Sequence, residues 1–387
     1  MTVRVNKSSF NIREKLSELE RPIGLKGSEL MRAETAQEAR DLVSAGRKNL
    51  IINGAMQINQ RGTVTNLGSS LETNHLDRWK HYNSNSGPSR FTASRSTDAP
   101  PGFLYSCKLD CTTADTSIAA ADSVRLAYRG EATDFAGLGE GTSEAKSATL
   151  SFWVKSNKTG TYCVDWYNYS STPTCSKQYT INSANTWEYK TITFPPCPNT
   201  AGTTQQSFWF WLMAGSYNTV DRGDQWTSST DGRAYGQTVN LADSTDNEWF
   251  ITGIQLEVGK NATEFEHRSY GEELQLCKRY FQKFDAGRFR GLNAYPNVSL
   301  TSGDQLPSFL FPVQFRTTPT MSPATATTTY DTWAAGAGIT REVRYTASSG
   351  HVLFQYSNTD GGNQGNIPSG GYFRMRIDDN LEFSAEL

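Results

Sequence analysis

The sequence predicts a mainly β protein: a jelly-roll β-sandwich followed by a smaller C-terminal β-domain, with a short helical segment at the N-terminus. Three observations carry that expectation. Stretches that alternate apolar and polar residues recur at intervals of roughly ten to twenty residues between Ala148 and Met213, with turn-forming residues between them. No helical stretch interrupts these candidates, and many strands without intervening helices fold as sandwiches or barrels. The composition agrees: aromatic residues reach 12% while charged residues make up only 20%, a mix that suits pleated strands and turns.

Residues 1–47 differ from the rest, being rich in Glu, Arg, Ala and Leu. Asn11 with Glu14 makes a capping pair before a helix from Ile12 to Glu20, where Ile12, Leu16 and Leu19 share a face until Pro22 and Gly24 stop it. Thr35 with Glu38 repeats the pair, and Ala39, Leu42 and Val43 then form a stripe ended by Gly46. Helices this short are unstable alone in water. Their apolar faces are expected to dock on the following domain, on another subunit or on a partner complex.

The sandwich is expected over residues 48–270, with Lys48 to Gly62 and Ile251 to Gly259 as its first and last strands. Between them, Ala148 to Lys155 puts Leu150, Phe152 and Val154 on one face; Gly160 to Tyr167, Trp187 to Phe194 and Phe208 to Met213 follow as strands. A linker helix over 271–285 is expected, since from Tyr270 to Phe284 the residues Leu274, Cys277, Tyr280 and Phe281 fall at helical spacing. The C-terminal β-domain, 286–387, offers strands at Pro307 to Arg316, Ile339 to Tyr345, His351 to Tyr356 and Tyr372 to Ile377, and a Gly/Asn-rich loop from Asn358 to Gly371.

Several function classes recede. A net charge of −2 supplies no basic field for nucleic acid. No apolar run is long enough to insert in a membrane, and Met1 to Lys7 lacks a signal-peptide core. The six cysteines form no CxxC pair, against zinc; a Cys107–Cys111 or Cys163–Cys175 bridge stays open. His75, His81 and His351 are isolated, so no metal or other cofactor is expected. Glu257, Glu264, Glu266 and His267 suggest paired-carboxylate catalysis only weakly, because no substrate groove accompanies them, and no catalytic residue is assigned. Asp243 to Glu248 lacks the spacing of a helix-loop-helix calcium site, and Gly137 to Gly141 lacks the lysine of a phosphate loop, so both read as turns.

The aromatic residues are more pointed. Trp209 and Trp211 share one face of their strand, opposite Phe208, Phe210 and Leu212. With Trp166, Tyr167, Tyr169, Tyr217 and Trp226 nearby in sequence, they are candidates either for stacking on sugar rings or for a subunit interface or core.

A resemblance adds to this. Met31 to Leu42 followed by Gly46 to Leu50 looks like the connector before the distal module of many tail-fibre proteins. Ser151 to Ser156 is similar to the central strand of carbohydrate-binding-module jelly rolls; Glu257 to Gly259, Thr263 to Leu274 and Cys277 to Phe281 are similar to their closing signature. Phe311 to Thr320 resembles fibre tips loosely. In combination the chain resembles jelly-roll proteins of bacteriophage fibres and virion surfaces. The resemblance implies a structural virion component of tail-fibre type, homotrimeric and attaching to a host surface receptor, such as glycan, while the apolar helix faces of Ile12, Leu16, Leu19 and Leu42 are the candidates for docking to other tail or capsid proteins. A capsid-decorating or head-fibre protein and a glycan-cleaving tailspike enzyme are the alternatives.

Overall fold

A computed structural model of the chain describes residues 48–68, 71–84, 86–168, 173–198, 205–285, 290–293, 305–323, 326–332, 339–347, 349–356, 373–377 and 380–387. The docking candidates Ile12, Leu16, Leu19 and Leu42, the stacking candidate Tyr169 and the loop Asn358 to Gly371 lie outside these. The chain divides into two compact units, Met1–Asn49 and Leu50–Leu387. Every strand among the described residues belongs to the second unit.

Twelve strands build the sandwich: β1 (Val64–Leu67), β2 (Leu71–Leu76), β3 (Trp79–Ser84), β4 (Arg90–Ser96), β5 (Ser106–Thr113), β6 (Ser123–Glu131), β7 (Ala148–Ser156), β8 (Gly160–Asn168), β9 (Thr174–Ile181), β10 (Glu188–Phe194), β11 (Gln205–Ala214) and β12 (Glu248–Val258). They pair as two six-stranded antiparallel sheets, ordered β1-β4-β5-β12-β7-β10 and β2-β3-β6-β11-β8-β9. This is a jelly-roll β-sandwich. The side-chain period of two decides what enters the core: Leu150, Phe152 and Val154 from β7, and Phe208, Phe210 and Leu212 from β11, are all buried in one cluster between the sheets. Aromatic edges fill it, with Phe210 meeting Phe152 at 5.2 Å and 83°.

The segment from Lys48 to Gly62 is no strand. Asn53 (φ 59°) and Met56 (φ 57°) adopt left-handed backbone, which breaks an extended run. The Asn53 amide then holds the turn, donating to Ile58 O (2.8 Å) and Asp77 O (2.9 Å) and accepting from Ile58 N (2.9 Å). The segment still lies beside β12, through Leu50 N to Leu256 O (3.0 Å) and Ile254 N to Gly54 O (3.0 Å).

After the sandwich, helix α1 (Tyr270–Lys278) opens on a capping box in which Ser269 and Glu272 bond each other's backbone N–H. It is shorter than the helical spacing predicts. Phe281–Phe284 leaves the helix as strand β13 because it finds a partner in the last strand. The remaining strands are β14 (Arg290–Asn293), β15 (Gln305–Leu310), β16 (Thr320–Ser322), β17 (Ala326–Thr332), β18 (Ile339–Ala347), β19 (His351–Tyr356), β20 (Phe373–Ile377) and β21 (Leu381–Ser384). They form a small sheet, β13-β21-β16, and a six-stranded sheet, β14-β20-β17-β18-β19-β15. The strand expected from Pro307 to Arg316 stops at Leu310.

A buried ionic cluster joins the small sheet to the sandwich. Glu386 accepts from Arg61 Nη2 (2.8 Å) and from Arg78, whose guanidinium lies 3.4 Å from the Tyr280 ring centroid and 5.5 Å from that of Tyr128. Burial alone would raise the Glu386 carboxyl, but Arg78, Arg61 and Lys80 outweigh it and hold it below the usual range. Arg279 and Tyr280 both donate to Glu131 at the end of β6 (3.0 and 2.7 Å), extending the contact. All six cysteines are buried free thiols, so neither Cys107–Cys111 nor Cys163–Cys175 is bridged.

Candidate functional site

The outward face of the first sheet carries an aromatic lane. In β7 the core takes Leu150, Phe152 and Val154, so Trp153 and Lys155 point away from it; in β10 the core takes Ile192 and Phe194, leaving Tyr189 and Thr191 outside. Register sets Tyr189 beside Trp153, and Trp153 beside Thr252. The two rings lie 5.3 Å apart at 49°, and Tyr189 is 45% exposed. Trp153 is half-buried beside it, and adjacent aromatic rings on the open face of a sheet are what a stacking ligand requires.

Charged groups border the rings. Lys155, one row along, lies over Phe250 (4.5 Å) and Trp187 (5.5 Å) and pairs with Asp98, which also accepts from Trp187 Nε1 (3.0 Å). Partial burial raises the Asp98 carboxyl, but the bonds from Lys155 and Trp187 and the charges of Lys155 and Lys108 outweigh it, so it is held below its ordinary range and ionised at neutral pH. Lys108 pairs with Glu248 (2.7 Å) and Asp110 (3.4 Å). The loop bearing Asp98 is anchored by Ser106 Oγ to Asp98 O (2.6 Å) and Thr252 Oγ1 to Tyr105 O (2.7 Å). Where β12 bulges, Gly253 (φ 62°) lets Phe103 sit directly on the backbone: an added Cβ would meet Phe103 Cζ at 2.6 Å. Phe103 in turn contacts Phe265 (5.0 Å) and His267 (5.4 Å).

The predicted aromatic set is dispersed by contrast. Trp166 lies in the core, donating from Nε1 to Gln206 Oε1 (2.7 Å), and Gln206 donates to Glu140 (2.7 Å). Trp209 and Trp211 occupy the outer face of the second sheet, as alternation requires, yet they are 4% and 1% exposed. Residues 215–240 cross over them as a strap, fastened by Cys163 N to Gln237 Oε1 (3.0 Å), Thr238 N to Thr161 O (2.9 Å) and Ser176 Oγ to Arg233 O (2.8 Å). Beneath it Arg125 lies 4.3 Å from Trp209 and 4.7 Å from Trp211, and Arg233 of the strap itself lies 4.3 Å from Tyr167 while pairing with buried Asp165 (2.7 Å). These three tryptophans therefore belong to the interior and offer no open ring face. Trp226 is half-buried edge-on to Trp166 at 5.2 Å, and Tyr217, 46% exposed, bonds Thr230 Oγ1 (3.0 Å).

Trp153, Trp187 and Tyr189 were missed in the sequence, although the signal was there. The alternation that sends Leu150, Phe152 and Val154 inward sends Trp153 outward. Of the carboxylates weighed for catalysis, Glu257 accepts from Thr263 N (3.0 Å) and Gln255 Nε2 (2.9 Å), and Glu266 pairs with Arg268 (3.6 Å). In the acidic turn, Asp243 accepts from Asn247 Nδ2 (2.7 Å) and pairs with Lys158. Among the described residues no group of three or more His, Cys, Asp or Glu side chains is placed to hold a metal ion, and no helix is long and apolar enough to cross a membrane.

No protein-family model and no curated protein matches the chain. Solved structures similar to it include the enzymatically active domain of bacteriophage CBA120 tailspike protein 4 (13% identity, 54% of this chain and 21% of that one, TM-score 0.30). Others are a CBM4 carbohydrate-binding module (12% identity, 53% and 97%, TM-score 0.29) and TmCBM61 in complex with β-1,4-galactotriose (11% identity, 55% and 99%, TM-score 0.30). The chain spans about a fifth of the tailspike domain's length.

Proposed function

We propose that this chain is a non-catalytic attachment protein of a bacteriophage virion, of tail-fibre type, that holds host-surface glycan against the outward face of its first sheet. The observation that carries the glycan part is the Trp153–Tyr189 pair: two adjacent rings, one of them 45% exposed, on a sandwich whose other strand tryptophans are committed to its interior. Ring faces take the apolar C–H face of a sugar while bordering Asp98 and Lys155 bond its hydroxyls. The virion part is supported by the fibre-like connector from Met31 to Leu50 and, loosely, by the fibre-tip-like stretch from Phe311 to Thr320. In this reading the protein is a homotrimer, and residues 1–47 join it to other virion proteins. The non-catalytic part is supported by Glu257 and Glu266, which are engaged by their own turn.

The test is competition. Purified chain, incubated with host cells, should reduce adsorption of the phage that encodes it, and Tyr189→Ala should lose that effect. Gold-labelled antibody should decorate the tail of intact particles. Absence of both labelling and competition would refute the assignment, and gold confined to the head would move the protein to the capsid.

A further inference from the structure

We infer that the lane takes an uncharged glycan; this rests on the glycan-binding reading and narrows it. The cations around the rings are already paired. Lys155 is paired with Asp98, and Lys108 with both Glu248 and Asp110, so two cations face three carboxylates. An acidic sugar would have to displace a carboxylate from its lysine and would then stand beside it, and in a polymer the cost recurs with every charged unit.

A neutral sugar meets the opposite situation. Asp98 is 47% exposed on its side chain and keeps lone pairs beyond those used by Lys155 and Trp187, so it accepts from hydroxyls without losing its partners. Lys155, its side chain 11% exposed, contributes mainly by holding Asp98 in place. One row beyond the rings, Thr191 adds an exposed hydroxyl, beside Ser151 in the register. Successive rows lie about 7 Å apart along the strands, so charged pair, rings and hydroxyl form a track for consecutive units of a chain.

The second sheet gives acidic sugar no better seat. Its outer arginines are engaged by the fold: Arg125 lies against Trp209 under the strap and Arg129 is paired with Glu72 (2.6 Å), while Arg233 of the strap lies against Tyr167 and is paired with Asp165.

The test is affinity electrophoresis of the full chain through gels containing neutral polymers (dextran, yeast mannan, a galactan) or acidic ones (alginate, hyaluronate), at low and high salt. At least one neutral polymer should retard the protein, with retardation unchanged by salt, and no acidic polymer should do so. Tyr189→Ala and Trp153→Ala should weaken retardation about tenfold or more. Because Tyr189 is exposed, its variant should melt with the wild type, which separates lost binding from lost folding. Asp98→Asn, which frees Lys155, should change neutral-polymer binding by less than about threefold and should create affinity for alginate. Retardation by acidic polymers alone, fading with salt, would overturn the uncharged class and leave glycan binding standing. Retardation by no polymer would remove the glycan reading together with this one.

Discussion

Replacing Glu386 by Ala should destabilise the sandwich itself, although Glu386 follows its last strand by more than a hundred residues in sequence. Arg78 is 1% exposed at its side chain, and Glu386 is its ionic partner together with the faces of Tyr280 and Tyr128. Removing one member of a buried pair leaves the other charge uncompensated, at about 3–5 kcal/mol. The retained ring contacts offset part of that, at most about 2 kcal/mol for a desolvated cation. A loss of about 3 kcal/mol is therefore expected, read from urea unfolding monitored by tryptophan fluorescence. A second variant isolates the mechanism: adding Arg78→Met to Glu386→Ala removes the stranded charge, so the double variant should be more stable than the sum of the single losses by at least about 1 kcal/mol. A cost for Glu386→Ala below about 0.5 kcal/mol, or strict additivity in the cycle, would refute the reasoning.

Single contacts and buried titratable groups set the other expectations. Gly253→Ala should cost about 1–2 kcal/mol, because the residue has positive φ and its new methyl must displace the Phe103 ring; an unchanged melting temperature would deny the close approach. Burial lowers both His75 and His81 to about 3, below the 6.5 of an exposed imidazole, so the unfolded chain binds more protons between those values. Stability should hence fall as pH drops from 6.5 toward 3, by up to about 4–5 kcal/mol per histidine, and His81→Phe should flatten this acid limb in pH-dependent melts. Glu140 shows the opposite sign: burial raises it to about 7, outweighing the Gln206 bond, so it binds protons more readily folded than unfolded. Its contribution should be lost as pH rises from 4.5 through about 7, and Glu140→Gln should gain on the wild type by about 3 kcal/mol at alkaline pH; a constant difference across that range would contradict the assignment.

How far the sequence reached depends on whether a feature is local. The strands around Leu150, Val164, Ile192 and Phe210 were legible because period-two alternation in a half-buried sheet is a property of consecutive residues. Lys48 to Gly62 misled because Asn53 leaves the extended region to make bonds with Ile58 and Asp77 that a linear pattern does not show. Phe281–Phe284 carried a helical spacing that was overruled by pairing with Leu381–Ser384, a contact about a hundred residues away in the chain. The site divided along the same line. Trp209 and Trp211 were correctly set on one face, but that the strap covers them depends on long-range bonds such as that from Cys163 N to Gln237. Tyr189 and Trp153 were readable as outward residues; that they adjoin each other is a matter of β7–β10 register, which no single strand reveals.

The most direct measurement of the central claim is a crystal structure of the chain soaked with a short oligomer of whichever neutral polysaccharide retards it most. A sugar ring stacked on Trp153 and Tyr189, with a hydroxyl within hydrogen-bonding distance of Asp98 or Lys155, is the expected result. A well-ordered sugar elsewhere, against Tyr217 and Trp226 or in the C-terminal sheets, with the Trp153–Tyr189 rings bare, would contradict it.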